Sequence, residues 1–191
     1  MGMKESITRA TNLLEFNIDD CSLKEFTTSY FHSSTTKCSK AHKLSSHAER
    51  QILDILESNM KPLYLDSKVK WSLDQKRDEM TFHNMRFLVC AERSSNQIVG
   101  FSTFMFDEED GEAVLYLYEL QVRGKNRKQG IATHLMSLVE DIALTTGMSH
   151  VVLTVFLKNT VAMSMYVKRG YKPHYPDRGI YCDEIMSRSC Q

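Results

Sequence analysis

Between Tyr118 and Met136 the sequence places four basic side chains, Arg123, Lys125, Arg127 and Lys128, ahead of Gly130 and an apolar stripe at helical spacing. A helix start offers backbone N–H groups without intrahelical acceptors, at the positive end of the helix dipole. A glycine at that point lets an anion reach the backbone, so the segment predicts a site for a diphosphate-bearing ligand. It is not a Walker loop, because no Gly-Lys-Ser/Thr follows at the required spacing, and it lacks the Gly-x-Gly-x-x-Gly of dinucleotide-binding turns. Taken alone, Arg-x-x-Gly-x-Ala fits a basic solvated loop equally well.

The segment before it, Val114 to Val122, carries Tyr116, Tyr118 and Glu119. A carboxylate beside an anion-binding turn has the chemistry of a general base, acting directly or through water. Strict alternation puts Tyr116, Tyr118 and Leu120 on one face and Leu117, Glu119 and Gln121 on the other, and a bulge near the site relaxes that rule. The acidic run Asp107, Glu108, Glu109, Asp110 and Glu112 is a solvated turn or one wall of a groove for a cationic peptide.

These residues need elements to hold them. Ile52, Leu53, Ile55, Leu56 and Met60 recur at helical spacing from His47, and Pro62 is expected to end that helix. Ser72 with Gln75 forms a capping box for a second helix carrying the charged run Asp74 to Glu79. Strands follow at Arg86–Ala91, Gln97–Phe106 and Ala113–Val122, with Asp110-Gly111 as a hairpin turn, and they predict an antiparallel meander. A helix over 131–146 ends at Gly147, a buried strand covers 150–156, a short helix 160–168, and a final hairpin 171–186. That order is an α/β sandwich with a mixed sheet. Residues 1–45 read as a partly irregular N-terminal extension, with Ser33 to Lys37 an exposed loop, and 46–191 as one domain.

Composition narrows the class. At 191 residues, 42% hydrophobic and 25% charged, the chain suits one soluble domain. A formal net charge of +0 supplies no global attraction to nucleic acid or acidic membrane, so no direct nucleic-acid binding is expected. Cys21, Cys38, Cys90, Cys182 and Cys190 show no metal-ligand spacing; they read as reduced thiols, with no metal expected. Met1-Gly2-Met3-Lys4-Glu5-Ser6 fits the myristoylation pattern at Gly2, which would give only marginal membrane binding. A monomer is expected.

Arg127-Lys128-Gln129-Gly130-Ile131-Ala132 resembles the acyl-CoA loop of the GNAT N-acetyltransferase superfamily, whose motif is Gln/Arg-x-x-Gly-x-Gly/Ala. Asn159, Ala162, Tyr166 and Gly170, after the strand ending at Phe156, resemble the family's second motif, and the likeness spans about residues 80 to 186. It implies a GNAT fold with a mixed central sheet flanked by helices and an N-terminal helical extension. It implies acetyl-CoA as co-substrate: backbone groups of Leu120, Gln121 and Val122 along the pantetheine arm, the turn from Arg127 and Lys128 to Thr133 around the pyrophosphate, and Asn159 on the cofactor. Tyr166 is implied near the thioester sulfur, where it would protonate the leaving thiolate; the bare alternative is a core aromatic.

Further stretches are similar to the NatD type, the N-alpha-acetyltransferase of core histones: Asn59-Met60-Lys61-Pro62-Leu63-Tyr64, Trp71, Lys76 to Met80, Phe104-Met105-Phe106-Asp107, Val114 to Glu119, Leu153 to Phe156 and Glu184 to Arg188. This extends the likeness to about residues 47 to 188. It implies transfer of acetyl to the α-amine of histone tails beginning Ser-Gly-Arg-Gly (histone four and histone two-A), in cytoplasm and nucleus. It also implies Glu119 as base, substrate contacts from Tyr64, Asp107, Tyr118 and Thr154, and aromatic walls that include Trp71 and Tyr116. The chain departs from the type at Tyr181-Cys182-Asp183-Glu184, where the family more often has Tyr directly before that Glu; Tyr181 is the replacement expected to touch substrate. Two alternatives stay open: a lysine or small-amine acetyltransferase on the same fold, and a non-catalytic acyl-CoA-binding or chromatin-binding module.

Overall fold

The computed structural model describes residues 4, 5, 7, 34–40, 43–176 and 182–190. Its centre is a seven-stranded sheet, which in spatial order runs β1 (Ser34–Lys40), β2 (Arg86–Glu92), β3 (Ile98–Glu109), β4 (Glu112–Val122), β5 (His150–Phe156), β7 (Asp183–Ser189) and β6 (Lys172–Pro173). The β4–β5 pair is parallel and the others antiparallel, so the sheet is mixed as expected. One face packs on α1 (Ser46–Asp66) and α2 (Leu73–Met80): Ile52, Ile55, Leu56 and Met80 meet Phe87, Ile98 and Phe101. The other packs on α3 (Ile131–Thr146) and α4 (Thr160–Lys168): Leu135, Met136, Val139 and Tyr166 meet Phe104, Leu115, Leu117, Val151 and Leu153.

Three local expectations are corrected. Pro62 does not end α1, which continues through it to Asp66. A helical proline sacrifices one donor, and here the following turn is held by packing, since the Tyr64 ring meets Trp71 and Phe156 edge-on at 5.1 and 4.9 Å. The end is then closed by Ser67 N–H donating to Leu63 O and Val69 N–H to Tyr64 O. The segment read as an exposed loop forms β1, registered against β2 from Ser34↔Glu92 to Lys40↔Arg86. Its run of Thr and Ser before Lys37 masked a strand whose ladder partner lies some fifty residues away in sequence. Ser72 caps α2 by accepting from Gln75 N–H at 3.2 Å, but the Gln75 side chain turns forward to Glu79 at 3.5 Å rather than back to the cap. The Gly2 expectation lies outside the described residues.

The start of α3 is fixed by close approach to the sheet. A Cβ on Gly100 of β3 would lie 2.8 Å from Ile131 Cγ2 and 3.0 Å from Gln121 O, so only glycine lets the first turn of α3 sit this close. Among the described residues no helix is long and apolar enough to cross a membrane. Gly100→Ala is expected to cost about 1–3 kcal/mol by overpacking, read as a lower urea midpoint with unchanged m-value.

Candidate active site

The register of β3 against β4 pairs Thr103 with Glu119 but Phe104 with Leu117, leaving Tyr118 as an extra residue on β4. A bulge of this kind moves everything after it to the opposite face. Leu117 therefore points into the α3/α4 core. Glu119 and Gln121, which strict alternation groups with Leu117, point instead toward α1 and α2, where Lys76 and Asn59 meet them. Leu120 and Val122 take over the α3/α4 side.

Just beyond the bulge the sheet opens. Pairing of β4 with β5 runs from Val114↔His150 only to Leu117↔Leu153, although β4 continues to Val122 and β5 to Phe156. The two strands splay, leaving Tyr118 to Val122 with no ladder on the β5 side. Tyr116 Oη and Thr154 Oγ1, 2.6 Å apart, bridge the strands at the fork. The resulting cleft has a volume of about 500 Å³.

Glu119 lies in that cleft and is only 8% exposed. Lys76 Nζ stands 3.5 Å from one carboxylate oxygen, and Gln121 Nε2 donates to the other at 2.8 Å. Burial drives the Glu119 pKa above the ordinary carboxylate range, against the opposing pull of Lys76 and Gln121. Burial alone would lower Lys76, but the charge of Glu119 and the hydrogen bond to Glu79 at 2.8 Å outweigh it, so the ammonium is held firmly protonated. Tyr166 also lines the cleft; burial, then the negative charge of Glu119, pushes its phenol up, so it stays a proton donor.

The expected aromatic and acidic walls assemble in part. Tyr64, Tyr116, Tyr118, Thr154 and Asp107 all line the cleft. Tyr118, 37% exposed, lies 5.0 Å ring to ring from Tyr116. Trp71 stands behind Tyr64, packed on the α1/α2 core, and its indole N–H has no acceptor among the described residues. The acidic hairpin divides by strand face. Asp107 and Glu109 face the cleft, Glu109 also accepting from Tyr175 Oη at 2.7 Å. Asp110 and Glu112 turn to His174 and His150, at 3.6 and 2.9 Å. Tyr181 lies outside the described residues.

The turn read as an anion site leads into a helix start at Gly130, and several of its cations are already engaged. Arg123 Nε is spent on Ile98 O at 2.9 Å and Lys125 Nζ on Gln97 Oε1 at 2.7 Å. Arg127, Lys128 and Gln129 then lead into α3, with Lys128 at φ 62° and Gly130 at φ 84° as the N-cap residue. No side chain caps this helix start, so the first-turn amides at Ile131, Ala132 and Thr133 keep their N–H groups for a ligand. A left-handed, uncapped start of this kind fits a diphosphate. Leu120, Gln121 and Asn159 line the adjoining cleft. Asn159 also caps α4, its Oδ1 accepting from Ala162 N–H at 3.3 Å.

Two residues of the site escaped the sequence reading as site residues, Lys76 and Asn59. A signal existed for both. Lys76 precedes the buried Met80 by four residues and so shares its inward face, and Asn59 continues the stripe of Ile52, Ile55 and Leu56 on α1. Among the described residues no group of three or more His, Cys, Asp or Glu is placed to hold a metal.

Comparison with known proteins agrees with this architecture. The sequence profile described as "Acetyltransferase (GNAT) family" matches residues 51–171. The fold is similar to PaiA N-acetyltransferase from Thermoplasma acidophilum, solved with coenzyme A, at 18% identity and a TM-score of 0.61, covering 81% of this chain and 99% of that one. It is similar to a GNAT-family acetyltransferase from Staphylococcus aureus at 14% identity and a TM-score of 0.63, covering 82% and 100%. A chain of the NatC complex bound to Gag peptide and CoA matches at 14% identity and a TM-score of 0.59, covering 81% and 96%.

Lys76→Met leaves the buried Glu119 carboxylate unpaired, at a cost of about 3 kcal/mol near neutral pH. Because Lys76 acts on Glu119 only in the folded state, that cost is absent while the carboxyl is protonated in both folded proteins. It begins as pH rises through the native folded pKa, which burial holds above the ordinary carboxylate range, and is complete above the still higher folded pKa of the variant. Urea unfolding at several pH values is expected to show this growth, and its disappearance in the Lys76→Met, Glu119→Gln double variant.

Proposed function

The chain belongs to the GNAT acetyltransferase family, and from that premise we propose that it acetylates the N-terminal α-amine of histone tails beginning Ser-Gly-Arg-Gly. Acetyl-CoA is the acyl donor of the family and supplies the acetyl group as a thioester, leaving as the free thiol. The observation that carries the finer reading is the cleft itself: Glu119 and Tyr166 stand together in it, between tyrosine walls and an acidic rim of Asp107 and Glu109.

Each feature has a task in that reading. The uncapped turn at Gly130 and the α3 amides would hold the diphosphate. The open edge of β4 from Leu120 to Val122 would align the pantetheine arm, with an N–H near Leu120 toward the acyl oxygen. Asp107 and Glu109 offer carboxylates to the arginine at the third position of the tail, and the Tyr116 and Tyr118 rings offer faces to the cation. The small Ser-Gly start suits the narrow fork bridged by Tyr116 and Thr154.

An α-amine has a pKa of about 8, so a useful fraction is neutral near pH 7, whereas a lysine amine at about 10.4 is almost wholly protonated. Glu119 takes one proton from the α-amine nitrogen, directly or through water, as the C–N bond forms. Tyr166 Oη gives one proton to the sulfur as the C–S bond breaks, and both residues regain their starting states by exchange with solvent. The raised pKa of Glu119 brings the base nearer the working pH, which strengthens it. A histone substrate would bring the enzyme to both cytoplasm and nucleus.

Mass spectrometry of a Ser-Gly-Arg-Gly peptide incubated with acetyl-CoA is expected to show one acetyl group on the free N-terminus and none when that terminus is blocked. Turnover of the blocked peptide at an internal lysine would support the lysine-acetyltransferase alternative, and coenzyme A binding without any turnover the non-catalytic one. Glu119→Gln is expected to lower kcat/KM by about 10²- to 10⁴-fold and to remove the acid limb of its pH profile, which in the native enzyme lies above the ordinary carboxylate range.

A further inference from the structure

A file of side-chain amides joins the diphosphate turn to the base. Arg127 Nη2 donates to Asn59 Oδ1 at 2.6 Å. Asn59 Nδ2 donates to Gln121 Oε1 at 3.0 Å and to the Val122 carbonyl at 3.0 Å. Gln121 Nε2 then donates to Glu119 Oε2 at 2.8 Å. The polarity of this file is forced from both ends. A guanidinium can only donate and a backbone carbonyl can only accept, so the Asn59 amide has a single orientation that satisfies both. With Nδ2 fixed toward Gln121, the Gln121 amide must present its oxygen to Asn59 and its N–H groups to the carboxylate. Turned the other way, Gln121 would oppose its oxygen to that of an ionised Glu119.

We propose that Asn59 is a positioning residue for acetyl transfer: held between Arg127 and the Val122 carbonyl, it locks the Gln121 amide so that it always donates to Glu119 and keeps the base ionised. This rests on Glu119 being the base. Other groups act on the same carboxylate. Lys76 of α2 meets it at 3.5 Å with Glu79 behind, Tyr64 of α1 and Tyr166 of α4 interact with it electrostatically, and Thr103 of β3 stands opposite in register. None of these depends on Asn59, so its share is separable. The Val122 carbonyl also keeps Asn59 oriented if a bound diphosphate draws Arg127 away, so the lock would survive cofactor binding.

The test is titration of the Glu119 carboxyl by carbon-13 NMR in the free enzyme, alongside the pH profile of kcat/KM. Asn59→Leu, close in size and uncharged, is expected to move both upward by about one pH unit, a tenfold change in ionisation at a given pH. In a Gln121→Met background the same substitution is expected to move neither, because the relay is already cut. Asn59→Ala serves equally if the leucine variant does not fold. An unmoved titration, or an equal shift in both backgrounds, would overturn the proposal. Glu119→Gln separates the two failures: if it keeps the native acid limb, the base assignment itself has failed, and if it loses the limb while Asn59→Leu leaves it in place, only the role of Asn59 is wrong.

Discussion

β4 carries one residue more than β3 can match, and the site is built on the consequence. With Tyr118 extruded, Glu119 and Gln121 leave the face of Leu117 and turn to α1 and α2, while Leu120 and Val122 seal the α3/α4 core. A buried carboxylate among the apolar residues of that core would face a desolvation cost with no cation to offset it. On the α1/α2 side it finds Lys76 and the Gln121 amide. The same stretch of β4 parts from β5 after Leu117↔Leu153, so the shift of face and the opening of the sheet occur within two residues of each other. The irregularity thus turns Glu119 to the α1/α2 side at the point where the cleft opens and where β4 runs on without a ladder to β5.

Electrostatics then divides labour between two acids that share the cleft. Glu119 is buried yet paired, so it ionises, although less readily than an exposed carboxylate. Tyr166, buried and beside that negative charge, is held protonated. Burial raises both pKa values, and Lys76 and Gln121 oppose the rise only at the carboxyl, so the two groups keep the difference in acidity that accepting and delivering a proton in one reaction would need. The turn at Gly130 is set apart by its lack of a side-chain cap. It also depends on Gly100, whose missing Cβ lets α3 begin hard against β3 and β4.

Much of this was legible in the residues. The spans 131–146, 150–156 and 160–168 coincide with α3, β5 and α4, because Gly147 stops the first helix and Asn159 caps the second. The turn at Gly130 was readable from its glycine and flanking cations. What escaped depended on tertiary context. Pro62 lies inside α1 because the Tyr64 ring is anchored beyond it, and β1 is a strand because β2 offers it an edge. The face of Glu119 could not be fixed by alternation, since a bulge leaves no composition signal and is visible only in the register with β3. Lys76 and Asn59 were hidden within a charged run and a helix stripe, and their importance comes from the strand they meet.

The claim that the opened β4 edge and the uncapped α3 turn form one acyl-CoA site is tested most directly by titrating nitrogen-15-labelled protein with coenzyme A and mapping amide shifts. The account predicts the largest changes at Gly130, Ile131, Ala132 and Thr133 together with Leu120, Gln121 and Val122. Saturable binding that leaves those amides unmoved, or no binding at all, would contradict it.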